Sequence, residues 1–269
     1  MEPKKSRYKT ALVLGGGGSR GAFEIGVLKV LTKKIIPDII IGTSVGAMNG
    51  ALYSLGMTPE QMEKAVQGVT TKMMFPFNRK ILYKLYSAKS LADPKNLKRF
   101  LYKYLGKKRF KDCKIPLYIN ATKLKDGKGE FFHNGLLIDA VLASSAIPPY
   151  YPPHIVKGKA YVDGGLSDYI GTEEALKLNC EQLIIVNLGY HGHPEHYNGL
   201  INISSHTINM LTYQSFLKEI ELAKEIHKKV IIIESDKEFK FSITDFSHTN
   251  ELIKAGERIA KRMLRHIIV

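Results

Sequence analysis

A serine lies in the pattern Gly42-Thr43-Ser44-Val45-Gly46, between a strand-like apolar segment and a helix-like segment. A sharp turn from strand to helix would hold Ser44 in strained backbone geometry, with its Oγ projecting from the edge of a sheet. Gly42 and Gly46 lack the Cβ atoms that would block so tight a turn. The N-terminus of the next helix would favour a developing anion. This pattern predicts a nucleophilic serine; an ordinary loop between strand and helix is the alternative.

A second glycine-rich segment, Gly15 to Gly18, follows the first predicted strand. With Gly21 it contains the spacing G-x-G-x-x-G of dinucleotide-binding domains, in which the glycines admit a pyrophosphate. Such a site also needs an acidic residue near the end of the second strand to hold the ribose. The acid nearby, Asp38, lies at the start of that strand instead. A nucleotide site is therefore the weaker interpretation.

The stronger interpretation of the same segment is an oxyanion hole. Consecutive backbone N–H groups in this glycine-rich turn would face the developing negative charge, backed by the guanidinium of Arg20. Because this loop and the Ser44 loop follow neighbouring parallel strands, both are expected at the same edge of the sheet. A nucleophile beside an anion-binding loop is what acyl transfer requires.

A serine nucleophile needs a base. Asp163 ends a short predicted strand and is followed by Gly164 and Gly165. This carboxylate could accept the serine proton directly if burial lifts its pKa above the aqueous value of about 3.9. A simple Asp-Gly turn is the alternative. For a serine-histidine-acid triad, the best histidine candidates are His191 and His193, in a polar loop just after a predicted strand.

The elements that must position these residues alternate between strand and helix. Strands are predicted at residues 8–14, 38–42, 117–122, 129–133, 159–162, 182–187 and 229–234. Helices are predicted at residues 21–33, 45–55, from 58 onward, 93–105, 136–144, 172–178, 204–228 and 249–266. The alternation predicts an α/β fold with a parallel sheet and right-handed crossovers, and no shift in composition divides residues 1–269 into separate domains.

Taken together and in this order, three motifs resemble the patatin-like phospholipase family. They are Gly15 to Gly21, Gly42 to Gly46 and Asp163 to Gly165. The segment Ala143 to Pro148 resembles the small-residue stretch that precedes the family's aspartate strand. The resemblance covers roughly Thr10 to Asp168, over half of the chain.

The resemblance implies a three-layer α/β/α fold with a mostly parallel central sheet and a Ser–Asp dyad without histidine. By position, Ser44 would be the nucleophile and Asp163 the base. The oxyanion hole would comprise Gly16, Gly17, Gly18 and Arg20, and the motif glycines would be Gly21, Gly42, Gly46, Gly164 and Gly165. The implied reaction is hydrolysis of ester bonds in phospholipids or lysophospholipids, with no cofactor and no metal.

One departure from the family pattern follows the aspartate motif. Family members often carry an asparagine and then a proline there, and this chain has Tyr169 and Gly171. A catalytically weak or silent member with a regulatory role is therefore the alternative function.

The composition bears on location and partners. The 269 residues include 40 Lys and Arg against 25 Asp and Glu, for a net charge of +15. This charge favours contact with anionic membrane surfaces, whereas no nucleic-acid-binding module is recognisable. The apolar run Ala11 to Leu14 is too short for a secretory signal, and the two cysteines, Cys113 and Cys180, show no disulfide pattern. A cytoplasmic protein, peripheral at the membrane, is expected.

The segment over residues 70–87 has two interpretations. The apolar cluster Met73 to Phe77 precedes Arg79, Lys80 and Lys84. Either the segment packs its apolar side chains into the core, or it is a mobile lid over Ser44 that opens at a lipid surface. In the second case Met73, Met74 and Phe75 would line an acyl pocket.

Overall fold

A computed structural model describes residues 8–82, 88–188, 199–226, 229–235 and 241–267. Its strands are β1 (Tyr8–Leu14), β2 (Ile39–Thr43), β3 (Leu117–Lys123), β4 (Gly129–Phe132), β5 (His154–Val156), β6 (Lys159–Asp163), β7 (Cys180–Asn187) and β8 (Lys229–Glu234). Its helices are α1 (Gly21–Leu31), α2 (Val45–Ser54), α3 (Pro59–Val66), α4 (Thr71–Met74), α5 (Lys95–Leu105), α6 (Leu137–Ser144), α7 (Thr172–Lys177), α8 (Leu200–Ile226) and α9 (Thr249–Ile267).

The strands form one sheet in the order β5-β6-β3-β2-β1-β7-β8, with β4 also paired to β3. The pairs that join β3, β2, β1, β7 and β8 are parallel, whereas β4, β5 and β6 pair antiparallel. The register of β1 on β2 sets Leu14 opposite Gly42, so the loops that follow these two strands leave the sheet side by side. The expected mostly parallel sheet is confirmed.

Helices cover both faces of the sheet because the strands of its centre are apolar on both sides. Leu12 and Leu14 of β1 pack in a cluster with α1, α2, α3, α5, α6 and α9. Ala11 and Val13 pack in a second cluster with α7 and α8. The alternation along one strand thus builds two cores, and the three-layer α/β/α arrangement follows.

Local sequence signals explain where several elements begin. The hydroxyl of Thr58 accepts a hydrogen bond from the Gln61 N–H, and the Gln61 side chain accepts one from the Thr58 N–H, which confirms the predicted capping box of α3. Helix α5 begins at Lys95 rather than Asp93, because the Asp93 carboxylate accepts the Lys95 N–H at 2.9 Å from outside the helix. The short strand β5 was not expected after the proline-rich stretch.

No helix within the described ranges combines the length and apolar character that crossing a bilayer requires. Neither Cys113 nor Cys180 forms a disulfide bond.

Candidate active site

Ser44 occupies the turn between β2 and α2 with a φ of 56° and a ψ of −121°. A side chain seldom adopts this left-handed backbone region, and functional residues account for many of the exceptions. The turn is also too tight for side chains at its flanking glycines. A Cβ on Gly46 would lie 2.2 Å from the Leu14 carbonyl oxygen, and one on Gly42 would lie 2.7 Å from the Gly46 oxygen. The sharp turn expected from the sequence is present.

The structure brings Ser44 and Asp163 together from positions 119 residues apart. The Ser44 hydroxyl donates a hydrogen bond of 2.6 Å to Asp163 Oδ2, and both side chains are buried. Asp163 Oδ1 accepts the Gly165 N–H at 3.0 Å. Burial nevertheless dominates and raises the pKa of Asp163 to about 6. A carboxylate with that pKa is ionised near neutral pH, yet is a stronger base than an exposed aspartate.

Polar side chains that the sequence analysis missed hold both partners in place. Ser144 on α6 accepts the Ser44 N–H through its hydroxyl at 2.8 Å. The Asn120 side chain on β3 donates to the Gly164 carbonyl at 2.9 Å, which anchors the turn after Asp163. Ser144 lies in the small-residue stretch already recognised in the sequence, but nothing in the pattern of a single sequence links Asn120 to the site.

The glycine-rich loop faces Ser44. A Cβ on Gly16 would lie 3.5 Å from the Ser44 Cβ, and Gly16, Gly17 and Gly18 line the same cleft as Ser44. Among the described residues, none accepts a hydrogen bond from the N–H groups of these three glycines. Gly18 packs closely against the backbone at Ile243, since a Cβ on Gly18 would lie 2.3 Å from the Ile243 carbonyl oxygen. The loop therefore presents unused donors beside the serine.

Arg20 also lines this cleft, but its guanidinium is engaged with Phe241. Its Nη2 donates to the Phe241 carbonyl at 3.0 Å, and its Cζ lies 5.9 Å from the centroid of the Phe241 ring. Burial lowers the pKa of Arg20 from its usual value. Arg20 therefore contributes positive potential to the cleft while it ties the glycine-rich loop to the segment at Phe241.

A buried acid lies beneath the two loops. Glu24 of α1 is fully buried and accepts the Asn49 side-chain N–H of α2 at 2.7 Å. The same Asn49 amide donates to the Gly21 carbonyl at 3.0 Å. Burial raises the pKa of Glu24 well above its usual value. This contact holds α1 and α2, and hence their N-terminal loops, in fixed relation.

Residues 12–176 match a family described as "Patatin-like phospholipase". The chain belongs to the patatin-like phospholipase family. It is 32 % identical over 181 residues to "Lysophospholipase nte1" of Aspergillus terreus and 31 % identical over 179 residues to the protein of the same name from Aspergillus oryzae. Each match covers 66 % of this chain but only 12 % of the relative, so the chain spans about an eighth of the length of these curated relatives.

Solved structures of bacterial proteins overlap the patatin-like chain over most of its length. The crystal structure of VipD from Legionella pneumophila covers 96 % of this chain and 67 % of its own, with a TM-score of 0.49 and 15 % identity. The structure of ExoU in complex with SpcU from Pseudomonas aeruginosa covers 96 % and 52 %, with a TM-score of 0.45 and 15 % identity.

Two adjoining spaces border Ser44 in this patatin-like site. The first, here called the cleft, includes polar groups, among them Arg20, Asp163, Tyr169, Asn209, Thr212 and Tyr213. The second, the apolar cavity, is lined by side chains that include Met48, Val66, Val69, Met74, Leu97 and Phe100. Phe75 and Ile147 border both spaces.

The segment over residues 70–87 is described only in part. Met74 is buried and Phe75 is half-buried, stacked on Tyr151 with ring centroids 5.0 Å apart, and both border the apolar cavity. Met73 and Phe77 instead have 48 % and 60 % of their surface exposed. Residues 83–87 lie outside the described part, as do the candidate triad histidines, His191 and His193.

Proposed function

We propose that this protein is a serine acyl hydrolase that cleaves ester bonds of phospholipids or lysophospholipids through a Ser44–Asp163 dyad. The observation that carries the proposal is the 2.6 Å hydrogen bond between Ser44 Oγ and Asp163 Oδ2, beside a loop with unused N–H donors. Family membership supports the reaction class, and relatives named lysophospholipases favour a lipid ester as substrate.

The proposed chemistry needs only groups that this chain supplies. Asp163 accepts the Ser44 proton as Oγ attacks the ester carbonyl carbon. The N–H groups of Gly16, Gly17 and Gly18 stabilise the tetrahedral oxyanion, and the positive charge of Arg20 adds to the field. Collapse of this intermediate releases the alcohol, which takes the proton from Asp163. Water, activated by the same carboxylate, then hydrolyses the acyl-serine and regenerates the free serine.

The two spaces beside Ser44 suggest how a lipid is oriented. The apolar cavity suits an acyl chain, since burial of each CH₂ group contributes about 0.8 kcal/mol. The cleft, with its amide, hydroxyl and guanidinium groups, suits the polar alcohol portion. In this arrangement the scissile carbonyl lies at Ser44, where cleft and cavity meet.

We also propose that the mouth of the site contacts an anionic membrane surface. Exposed apolar side chains lie on, or within two residues along the chain of, residues that line the site, and we call them the apolar rim: Met73, Phe77, Leu166, Met210 and Leu211. Leu166 itself lines the cleft, and Met210 and Leu211 lie next to α8 residues that do so. A net charge of +15 complements anionic headgroups. A cytoplasmic location stays a prediction.

The test of the proposed reaction is hydrolysis of a lysophospholipid and of a short-chain nitrophenyl ester. Ser44→Ala removes the attacking oxygen, so we expect both rates to fall by about 10³-fold or more. The matched control is Ser54→Ala, at the far end of the same helix, which we expect to keep both rates. Both activities should also persist in EDTA. Full activity of Ser44→Ala would contradict the dyad, and absence of hydrolysis in the wild type would favour a silent regulatory member.

A separate pair of variants tests the membrane contact. Phe77→Asp places a charge on the apolar rim, so we expect weaker co-sedimentation with anionic vesicles and slower turnover on them. Hydrolysis of the short-chain ester should not change. Ile36→Asp is the matched control, because Ile36 is 74 % exposed and lies just before β2, at the opposite end of the sheet from Ser44. Equal loss of vesicle binding in both variants would contradict a rim-specific contact.

A further inference from the structure

Tyr169 contacts both the glycine-rich loop and the turn after Asp163, which lie far apart in the sequence. Its hydroxyl donates a hydrogen bond of 2.6 Å to the Gly16 carbonyl oxygen, 153 residues away. Its ring also approaches both loops. A Cβ on Gly16 would lie 3.6 Å from the Tyr169 ring, and a Cβ on Gly165 would lie 3.5 Å from it. One aromatic side chain therefore bridges the glycine-rich loop and the turn that follows Asp163.

Contacts with α8 hold Tyr169 in place. The Tyr169 N–H donates to Glu219 of α8 at 2.9 Å, and the ring packs edge-on against Phe216, with centroids 5.8 Å apart. Burial raises the pKa of Tyr169, which outweighs the opposite effect of nearby Arg20. The phenol therefore stays protonated at ordinary pH and remains a hydrogen-bond donor.

The position of this hydrogen bond has a consequence for the neighbouring N–H group. The Gly16 carbonyl and the Gly17 N–H belong to the same peptide unit, which is planar and trans, so the two groups point in opposite directions. A hydroxyl that holds the Gly16 oxygen therefore also fixes the direction of the Gly17 N–H. Glycine loops otherwise turn freely about φ and ψ, since no Cβ restricts them.

We propose that Tyr169 is a positioning residue for acyl transfer: by holding the Gly16 carbonyl, it aims the Gly17 N–H at the oxyanion. The inference rests on the proposed serine hydrolase function and adds to it a residue that no sequence motif of the site includes. Tyr169 acts through the peptide unit and does not touch the reacting atoms. A donor that is already oriented needs no reorganisation as charge develops, which is how oxyanion holes lower a barrier.

The variant that tests this role is Tyr169→Phe, which keeps the ring and its packing and removes only the hydroxyl. We expect kcat for a short-chain ester to fall about 10-fold, with KM within about twofold, because the lost interaction matters in the transition state alone. The matched control is Tyr161→Phe. Tyr161 is a buried tyrosine on β6 that pairs with Glu130, so its loss should lower stability without changing kcat.

Inhibitor binding separates positioning from a general loss of structure. A trifluoromethyl ketone forms a tetrahedral adduct with the serine and so requires the oxyanion hole, whereas a free fatty acid need only fill the apolar cavity. We expect Tyr169→Phe to weaken binding of the ketone by the same factor as it lowers kcat/KM. Binding of the fatty acid should not change. The ratio of the two affinities does not depend on the fraction of enzyme that is folded, so a partly unfolded variant still gives an answer.

The outcomes distinguish the inference from the proposed function. If the wild type hydrolyses esters through Ser44 but Tyr169→Phe matches it in kcat and in ketone affinity, the positioning role is wrong and the hydrolase function stands. If Tyr169→Phe weakens binding of the ketone and binding of the fatty acid equally, the residue is merely structural and the inference is also overturned. If the wild type neither hydrolyses esters nor binds the ketone at Ser44, both proposals fail.

Discussion

The cleft and the apolar cavity share a border at Ser44 but differ in the groups that line them. The cleft presents hydroxyl, amide and guanidinium groups from the glycine-rich loop, α8 and the turn after Asp163. The cavity is built from aliphatic and aromatic side chains of α2, α3, α4 and α5. Phe75 and Ile147 stand between them. A substrate with one polar part and one apolar part therefore matches the two spaces better than a substrate whose parts are alike.

The residues proposed to react and most of the residues that line the two spaces come from different parts of the fold. Ser44 and Asp163, the groups proposed to react, lie where β2 and β6 end, and backbone geometry fixes them there. The apolar cavity is formed largely by helices outside the sheet, and α8 contributes to the cleft. Changes in the shared groups should therefore affect every ester alike, whereas a change on one side should affect only that part of the substrate that it contacts.

The largest expected effect comes from the shared base. Asp163→Asn should lower kcat/KM about 10³-fold for all esters, whatever their acyl chain or alcohol, because the serine loses its proton acceptor. The wild type should lose activity as the pH falls through about 6, since the base must be ionised and its pKa is raised to about 6. Rates on two esters across pH 4.5–9 check this, with Asp139→Asn on α6 as the control. An unchanged rate at pH 5 would contradict the role.

Burial of the same carboxylate also predicts an effect on stability. The folded-state pKa of Asp163 lies above its value in the unfolded chain, so the folded state binds a proton that the unfolded chain has lost between about pH 4 and 6. Its contribution to the free energy of unfolding therefore declines as the pH rises through that window. At pH 8 the neutral variant Asp163→Asn should melt at a higher temperature than the wild type, which differential scanning calorimetry can measure.

A smaller effect is expected from the cavity side. Val66 lines the apolar cavity at the end of α3, and Val66→Phe would fill part of it. We expect kcat/KM for a long-chain ester to fall about 10-fold relative to a short-chain ester, since each CH₂ that loses its burial costs about 0.8 kcal/mol. Val156→Phe, at a half-buried valine on the distant strand β5, is the control. Equal losses on both chain lengths would show that the cavity does not bind the acyl chain.

The smallest effect is expected from the cleft side. Asn209 on α8 lines the cleft, and Asn209→Ala removes one polar contact for the alcohol portion. We expect KM for a lysophospholipid to rise about threefold, with no change for a nitrophenyl ester of the same acyl chain, because one neutral hydrogen bond contributes about 1 kcal/mol or less. Asn250→Ala, on the exposed side of α9, is the control. A change confined to the nitrophenyl ester would reverse the proposed orientation.

The sequence allowed the fold class and the local geometry of the motifs to be predicted because those depend on short-range rules. Gly42 and Gly46 flank a serine between strand and helix, and that pattern favours a tight turn. The order of strands then implied that the loops after β1 and β2 lie side by side. For Asp163, a position beside Ser44 was implied by the family resemblance.

The rest of the site depends on contacts between distant parts of the chain. Nothing near Asn120 or Ser144 in the sequence shows that they hold the Asp163 turn and the Ser44 backbone. Tyr169 stood out as a departure from the family pattern, but its bond to Gly16 could be seen only in three dimensions. The strand β5 has three residues and follows a proline-rich stretch. Three residues are too few for the alternation of apolar and polar side chains that marks a strand to be recognised.

Covalent labelling of Ser44 by a fluorophosphonate probe tests the central claim most directly. The probe reacts with a serine whose hydroxyl is activated by a base and whose adduct is stabilised by an oxyanion hole. We predict a single labelled peptide that contains Ser44, slower labelling in Asp163→Asn, none in Ser44→Ala, and loss of ester hydrolysis in proportion to the label. Labelling at another serine, or full hydrolysis by protein fully labelled at Ser44, would contradict the account.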